Sequence, residues 1–389
     1  MSRRWELDLL RGIMLVMMFC THLSTRFSDP LGQPLGYVSA AEGFVMLSAF
    51  MAGLIYSRCA EKDGLRAMRR ALIHRTLTVY VCHAALLLFL FSAVAALAVA
   101  LNQPALTGLL DYYLSHRWAA LPDALLLIYN PPLLDILPLY IVLLLASPFI
   151  LSWGMRRGWT RVFILSGALW ACAQFHVSEM LYDKLAWLTA FSVPFSETGS
   201  FEACAWQFLW VFGLWMGTAA AKGTLKERKP FPTQLVVAAV LIGAVGFAWR
   251  HLAGQVPIPG ESTHIINRLF DKWHLGPLRL LDFFALIVLV LQVGDWLAAH
   301  LPRIRFLEDL GAASLPVFCA HLVFVLLALS LTGQYTPGRP LWIDVLLLAI
   351  GLATLYATAR ISLRRNKTAP VSMAAARRAR SVSQTQTFR

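Results

Sequence analysis

The sequence predicts an all-α, polytopic membrane protein of about ten transmembrane helices with both termini in the cytoplasm. Three observations carry that prediction. Hydrophobic residues make up 58% of the chain and charged ones only 14%, whereas a soluble domain carries about a quarter charged. Apolar runs near the ~20-residue length needed to cross a bilayer recur throughout. Lysines and arginines collect in alternate gaps between those runs, as cytoplasmic loops do.

The expected spans are 8–27, 38–57, 76–101, 132–152, 162–178, 203–221, 234–252, 278–297, 311–332 and 341–361. With the N-terminus inside, the inner segments hold 25 of the 34 lysines and arginines. These include Arg3 and Arg4, the cluster Arg58, Lys62, Arg66, Arg69, Arg70 and Arg75, and Lys226, Arg228 and Lys229. The net charge of +13 is therefore a topology signal, which argues against nucleic-acid binding. Residues 1–361 read as one membrane domain and 362–389 as a basic tail, expected to be disordered and to touch anionic lipid. Leu106–Pro132 is amphipathic and is expected along the outer surface, and Gln255–Pro277 reads as a polar outer loop. The start MSRRW leads into an uncleaved first span, because Asp8 and Arg11 interrupt the apolar region a signal peptide requires. The six cysteines form no C-x-x-C pair, so neither a disulfide framework nor a metal site is implied. No convincing internal repeat is present, which weighs against an inverted-repeat transporter.

Ionisable groups inside spans are costly and face a bundle interior or a water-filled cavity. In LDLLRGIMLVMMFCTHL, Asp8, Arg11 and His22 share one stripe, because eleven steps of ~100° return to within ~20°. Arg11 and His22 are then ~16 Å apart along the axis. Asp8 and Arg11 read either as an i,i+3 pair snorkelling to the interface or as part of a functional stripe. His22 reads either as a packing residue or, if paired with the nearby Glu42, as a general base. Small residues around Glu42, among them Ser39, Gly43 and Gly53, allow close helix packing. The basic cluster before the third span, followed by Tyr80 and His83, reads either as topology bias or as a site for a phosphate-rich ligand such as coenzyme A. Toward the outer level lie Asp135, Glu202, Gln207, His274, Arg279 and Asp282, with Ser314 toward the inner level and His321 between.

Several stretches together resemble the OpgC family of inner-membrane proteins. They are LDLLRGIMLVMMFCTHL, PLGYVSAAEGFVMLSA from Pro34, NPPLLDILPLYIVLLLASP (Asn130–Pro148), AWQFLWVFGLWMG (Ala205–Gly217), WHLGPLRLLDFFAL (Trp273–Leu286) and GAASLPVFCAHLVF (Gly311–Phe324). The resemblance implies transfer of succinyl groups to osmoregulated periplasmic glucans at a bacterial inner membrane, within a larger class of polytopic acyltransferases. That class shows an Arg and a His separated by ten residues in the first span, as Arg11 and His22 are, which implies acyl transfer at His22. It also implicates arginines after the second span, here Arg69, Arg70 and Arg75. Its S-Y-x-x-Y-x-x-H pattern corresponds to SLPVFCAH, with Leu315 and Phe318 in place of the tyrosines, a departure that leaves the role of His321 open.

The resulting expectation is an acyltransferase taking succinyl from cytoplasmic succinyl-CoA, a co-substrate rather than a tightly bound cofactor, to a glucan hydroxyl outside. His22 acts as general base or transient acyl carrier, and Glu42 orients it. Arg11, Arg69, Arg70, Arg75 and His83 hold the acyl-CoA. Asp135, Trp206, Gln207, Trp273, His274, Arg279 and Asp282 line the acceptor side, with Trp206 or Trp273 stacking on a sugar. Asp8, Ser314 and His321 complete the set, and no metal enters. The rival readings are an exporter of a sugar or lipid-linked anion and a family member without activity.

Overall fold

The computed structural model describes residues 5–189, 193–224, 230–252 and 268–386, excepting the side chains of Asp295 and of 366–386. The expected outer-loop stretch 255–267, the inner cations Arg3, Arg4, Lys226, Arg228 and Lys229, and the side chains of the basic tail past 365 lie outside the described residues.

The chain is helical, with no strand among the described residues. Helix α1 covers Trp5–His22. Helix α2 covers Ala40–Phe89 and continues through a π-helical turn, Leu90–Val94, into Ala95–Ala100. Then follow α3 (Ile136–Arg157), α4 (Thr160–Gln174), α5 (Ala203–Ala221) and α6 (Thr233–Leu252). The last four are α7 (Pro277–His300), α8 (Arg305–Ala312), α9 (Ser314–Thr332) and α10 (Leu341–Gln386).

Among the described residues six helices are long and apolar enough to cross a membrane: α2 with its continuation, α3, α6, α7, α9 and α10. The protein is therefore a polytopic membrane protein. The spans expected at 38–57 and 76–101 both fall in the helical stretch Ala40–Ala100, whose 61 residues are about three times what one crossing needs and which a kink divides into two helices. The bend sits at Gly64, where φ is 86° and ψ 166°, a conformation other residues rarely adopt. The segments expected at 8–27, 162–178 and 203–221 are helical as α1, α4 and α5 but stand outside those six. Helix α1 carries Glu6, Asp8 and Arg11, α4 is only 15 residues long, and α5 dilutes its apolar residues with Trp206, Gln207, Trp210 and Trp215. The stretch 106–132 folds as short helices, Pro104–Leu109, Asp111–Ser115 and Arg117–Leu125, that bury Leu106, Leu110, Ala120 and Ala124.

Glycines determine which helices touch. A methyl group at Gly53, Gly213 or Gly217 would run into the backbone of the facing helix, so α2 and α5 pack main chain to main chain. Gly12 of α1 and Gly311 of α8 do the same, meeting the carbonyls of Leu307 and Asp8. Without a hydrophobic force between helices in lipid, such close van der Waals approach is what holds them together.

Candidate active site

Two hydrogen-bonded side-chain pairs join α1 to α9 among the described residues. Near the start of both helices the Arg11 guanidinium donates to the Ser314 hydroxyl. Farther along, His22 Nδ1 and His321 Nε2 are 3.0 Å apart, with the rings stacked at 5.0 Å between centroids. The order of the pairs makes the two helices run in the same sense. Phe19 and Phe318 meet the His321 ring edge-on, so the imidazole pair is walled by aromatic carbon. His321 is fully buried, and its Nδ1 has no hydrogen-bond partner among the described residues. If His22 donates its Nδ1–H to His321 Nε2, the lone pair of His22 lies on Nε2, where it can take a proton.

The expected pairing of His22 with Glu42 does not form. Glu42 is fully buried at the start of α2, in a capping box with Ser39, and its Oε1 accepts from Arg279 Nη1 at 2.6 Å. Ser39 N donates to Glu42 Oε2 at 3.0 Å, and the Ser39 hydroxyl donates to the same oxygen. The carboxylate is thus consumed by its own helix end and by a cation from α7. Asp282, one turn beyond Arg279, accepts from Tyr37 N at 3.1 Å and abuts Gly36 and Gly246. That arrangement ties the loop before α2 to α7 and α6.

The turn 268–276 lies between these groups and α5. Trp273 O accepts from Trp206 Nε1 and Glu202 N, Leu275 O from Trp170 Nε1, and His274 O from Gln174 Nε2. Trp206 is fully buried with its indole N–H committed, so it has no face to offer a sugar, whereas Trp273 is 39% exposed. Gln207 is engaged with Ser166, His274 with Asp271, and Asp135 with Ser200 N at 3.1 Å. On the same turn stands Lys272, which sequence reasoning passed over. Burial pulls its ammonium below the usual lysine range, and Glu42 and Asp135 partly oppose that while Arg279 adds to it.

At the opposite end of α1 a cavity of about 250 Å³ is bordered by Trp5, Asp8, Arg303, Glu308, Asp309, Arg360 and Arg364. The sequence pointed instead to Arg69, Arg70 and Arg75. Arg69 and Arg70 are exposed on α2, and Arg75 is half-buried. His83 is fully buried, with neither ring nitrogen hydrogen-bonded among the described residues. The sequence counts Arg303 and Arg360 only among the inner cations, because their partners, Glu308 and Asp309, sit on α8, a short helix that reads as loop.

A family model for the OpgC protein matches residues 3–367. The chain belongs to the OpgC family. Membership covers α1 through α9 and the start of α10, so every group in the two α1–α9 pairs lies inside the matched region. It points to glucan modification by acyl transfer in a membrane setting. No curated protein and no solved structure matches this OpgC-family chain.

Proposed function

We propose that the protein is an integral membrane acyltransferase that moves succinyl from succinyl-CoA, bound at the cytoplasmic face, to a hydroxyl of a periplasmic glucan. The observation that carries the reading is the His22–His321 pair, set on the same two helices as Arg11–Ser314. His22 Nε2 takes the proton of the glucan hydroxyl as its oxygen attacks the thioester carbonyl. The C–O bond forms, the C–S bond breaks, and the proton passes to the leaving thiolate to give free CoA thiol. His321 orients the ring and accepts the hydrogen bond that stabilises the transient imidazolium. Arg11 and the cationic border of the inner cavity hold the CoA phosphates.

Between the two pairs the stripe of α1 is filled by Leu15 and Met18, 1% and 4% exposed. The pantetheine arm must displace them to reach His22, and the unbranched Met18 is the more adaptable of the two. Purified protein given labelled succinyl-CoA and glucan tests the proposal directly. Acylated glucan is expected from the wild type and none from a His22→Ala variant that inserts and folds normally. Acylation retained in that variant removes His22 from the mechanism, and glucan flux without acylation supports an exporter instead.

A further inference from the structure

His22 stands at a weak point of the fold. It is the last helical residue of α1, and terminal turns fray because their carbonyls lack partners within the helix. A reacting group placed there has to be held from beyond the helix. Two straps do so, both from the loop between α9 and α10. Ser24 N donates to His22 O at 3.0 Å, and Ser24 O in turn accepts from Arg339 Nη1 at 2.9 Å. The Ser24 hydroxyl accepts the second strap, from Tyr335 N, at 2.8 Å.

Arg339 is only 9% exposed. Its Nη2 donates to the carbonyls of Thr332, Gly333 and Gln334 at 2.9, 3.2 and 2.9 Å, where α9 ends at a glycine with φ 67°. One guanidinium thus spans the carbonyl ends of α1 and α9, the helices that carry His22 and His321. Those helices run in the same sense, so their partly negative C-terminal ends repel, and a cation between them offsets the repulsion. The planar fork of arginine can bridge two carbonyl clusters at once, which the single ammonium of a lysine does less well.

The clamp is itself anchored. Asp344, fully buried on the first turn of α10, lies 3.5 Å from Arg339 Nη1 and accepts from Arg26 Nε at 2.9 Å. Arg26 Nη2 returns to Arg339 O at 2.7 Å. Because Arg26 also pairs with Asp344, replacing Arg339 strands no buried carboxylate. On the other side of the imidazole pair, Phe19 of α1 packs on Phe324 of α9 with 5.8 Å between centroids. His22 therefore lies between an apolar contact within the bundle and a charged clamp at its end.

We propose that Arg339 is a positioning residue, which ties the end of α1 to the end of α9 and so holds His22 against His321. Its effect on rate rests on the acyl-transfer reading. A displacement of about 1 Å in a reacting group is enough to lower a rate by ~10²-fold.

The test uses full-length protein in nanodiscs, with succinyl-CoA and glucan for turnover and hydrogen–deuterium exchange for the backbone. Arg339→Gln is expected to lower kcat per folded protein roughly 100-fold while KM for both substrates is unchanged. In the same variant, amide exchange over the last turn of α1 is expected to rise roughly 10–100-fold, as hydrogen bonds to a charged group are lost, while the turn around Arg11 exchanges as in the wild type. Arg339→Lys, which keeps the charge but not the fork, is expected to restore part of both. Ser24→Ala removes only the strap from Tyr335 and serves as the milder variant, with the same pattern expected at roughly 2–10-fold. Unchanged exchange at the end of α1 overturns the inference. So does exchange that rises evenly along the chain with kcat per folded protein intact, which makes Arg339 a general stabiliser. A raised KM with kcat intact assigns the arginine to substrate binding and overturns it as well. A wild type that acylates nothing removes the acyl-transfer reading instead, and exchange at the end of α1 then decides whether Arg339 holds His22.

Discussion

The His22–His321 pair and the Glu42–Arg279–Ser39 box are both buried polar clusters near the same end of the bundle, and they are built on opposite principles. In the box, each carboxylate oxygen of Glu42 has a donor: Arg279 at one, Ser39 N and the Ser39 hydroxyl at the other. In the imidazole pair one hydrogen bond is shared between two rings, and His321 Nδ1 has none. A fully satisfied buried network fixes one packing arrangement, whereas a half-satisfied one keeps a lone pair or proton in reserve. The box is built as scaffolding, and the imidazole pair is the cluster left able to carry the proposed chemistry.

The largest effect that would break this contrast lies in the box. Glu42→Ala strands a buried guanidinium, at a cost of about 3–5 kcal/mol, and the protein is expected to express poorly and unfold early in detergent. Replacing both partners, Glu42→Met with Arg279→Met, is expected to recover most of that loss, because no charge is left unpaired. If Glu42→Ala keeps wild-type stability in a chemical unfolding series and loses only turnover, Glu42 belongs to the chemistry and the contrast is wrong.

A smaller effect is expected at His321, read in rate rather than in stability. Removing the partner of a base costs less than removing the base, so His321→Ala should lower kcat roughly 10–100-fold, below the ~10²–10⁴ a general base supplies. His321→Gln, whose side-chain oxygen can accept from His22 Nδ1–H, should recover part of the rate with KM unchanged. Equal losses in both variants, or a loss confined to KM, would assign His321 to packing or to binding.

What the sequence revealed about these clusters follows from how local each is. The Arg11–His22 stripe is legible because helical periodicity alone places both on one face. Ser314 and His321 were visible as a spaced pair, yet nothing local says that they face α1. The Glu42–Arg279 pair spans 237 residues and depends on which helices adjoin, so charge and spacing could not find it. One signal was available: S-A-A-E at Ser39–Glu42 is a capping-box pattern, which assigns the carboxylate to its own helix start and away from His22. The stretch Ala40–Ala100 reads as two spans because its middle is polar, and the non-helical Gly64 divides it there into two helices.

The smallest effect concerns a third pair, on the turn that carries Lys272. His274 Nδ1 and Asp271 Oδ2 are 2.5 Å apart, both about a quarter exposed. The hydrogen bond to Asp271 holds the His274 imidazole above its ordinary 6.5 against the opposing pull of burial, and the nearby Glu202 and Glu179 add to the rise. Burial pushes the Asp271 carboxyl up, but hydrogen bonds from His274 and from the backbone of Trp273 and His274 outweigh it and leave the group below 3.8. A raised imidazole contributes stability that is complete below about pH 6.5 and is lost as pH climbs through the folded value. A depressed carboxylate contributes above about pH 3.8 and loses it as pH falls through the folded value. The pair therefore stabilises most between those limits and weakens on the alkaline side. His274→Asn should flatten the alkaline decline of the unfolding midpoint by roughly 1–2 °C, the size expected for a partly exposed pair in a chain this long. A decline of unchanged slope would place the pH sensitivity of the turn elsewhere, with Lys272 the nearest remaining titratable group on it.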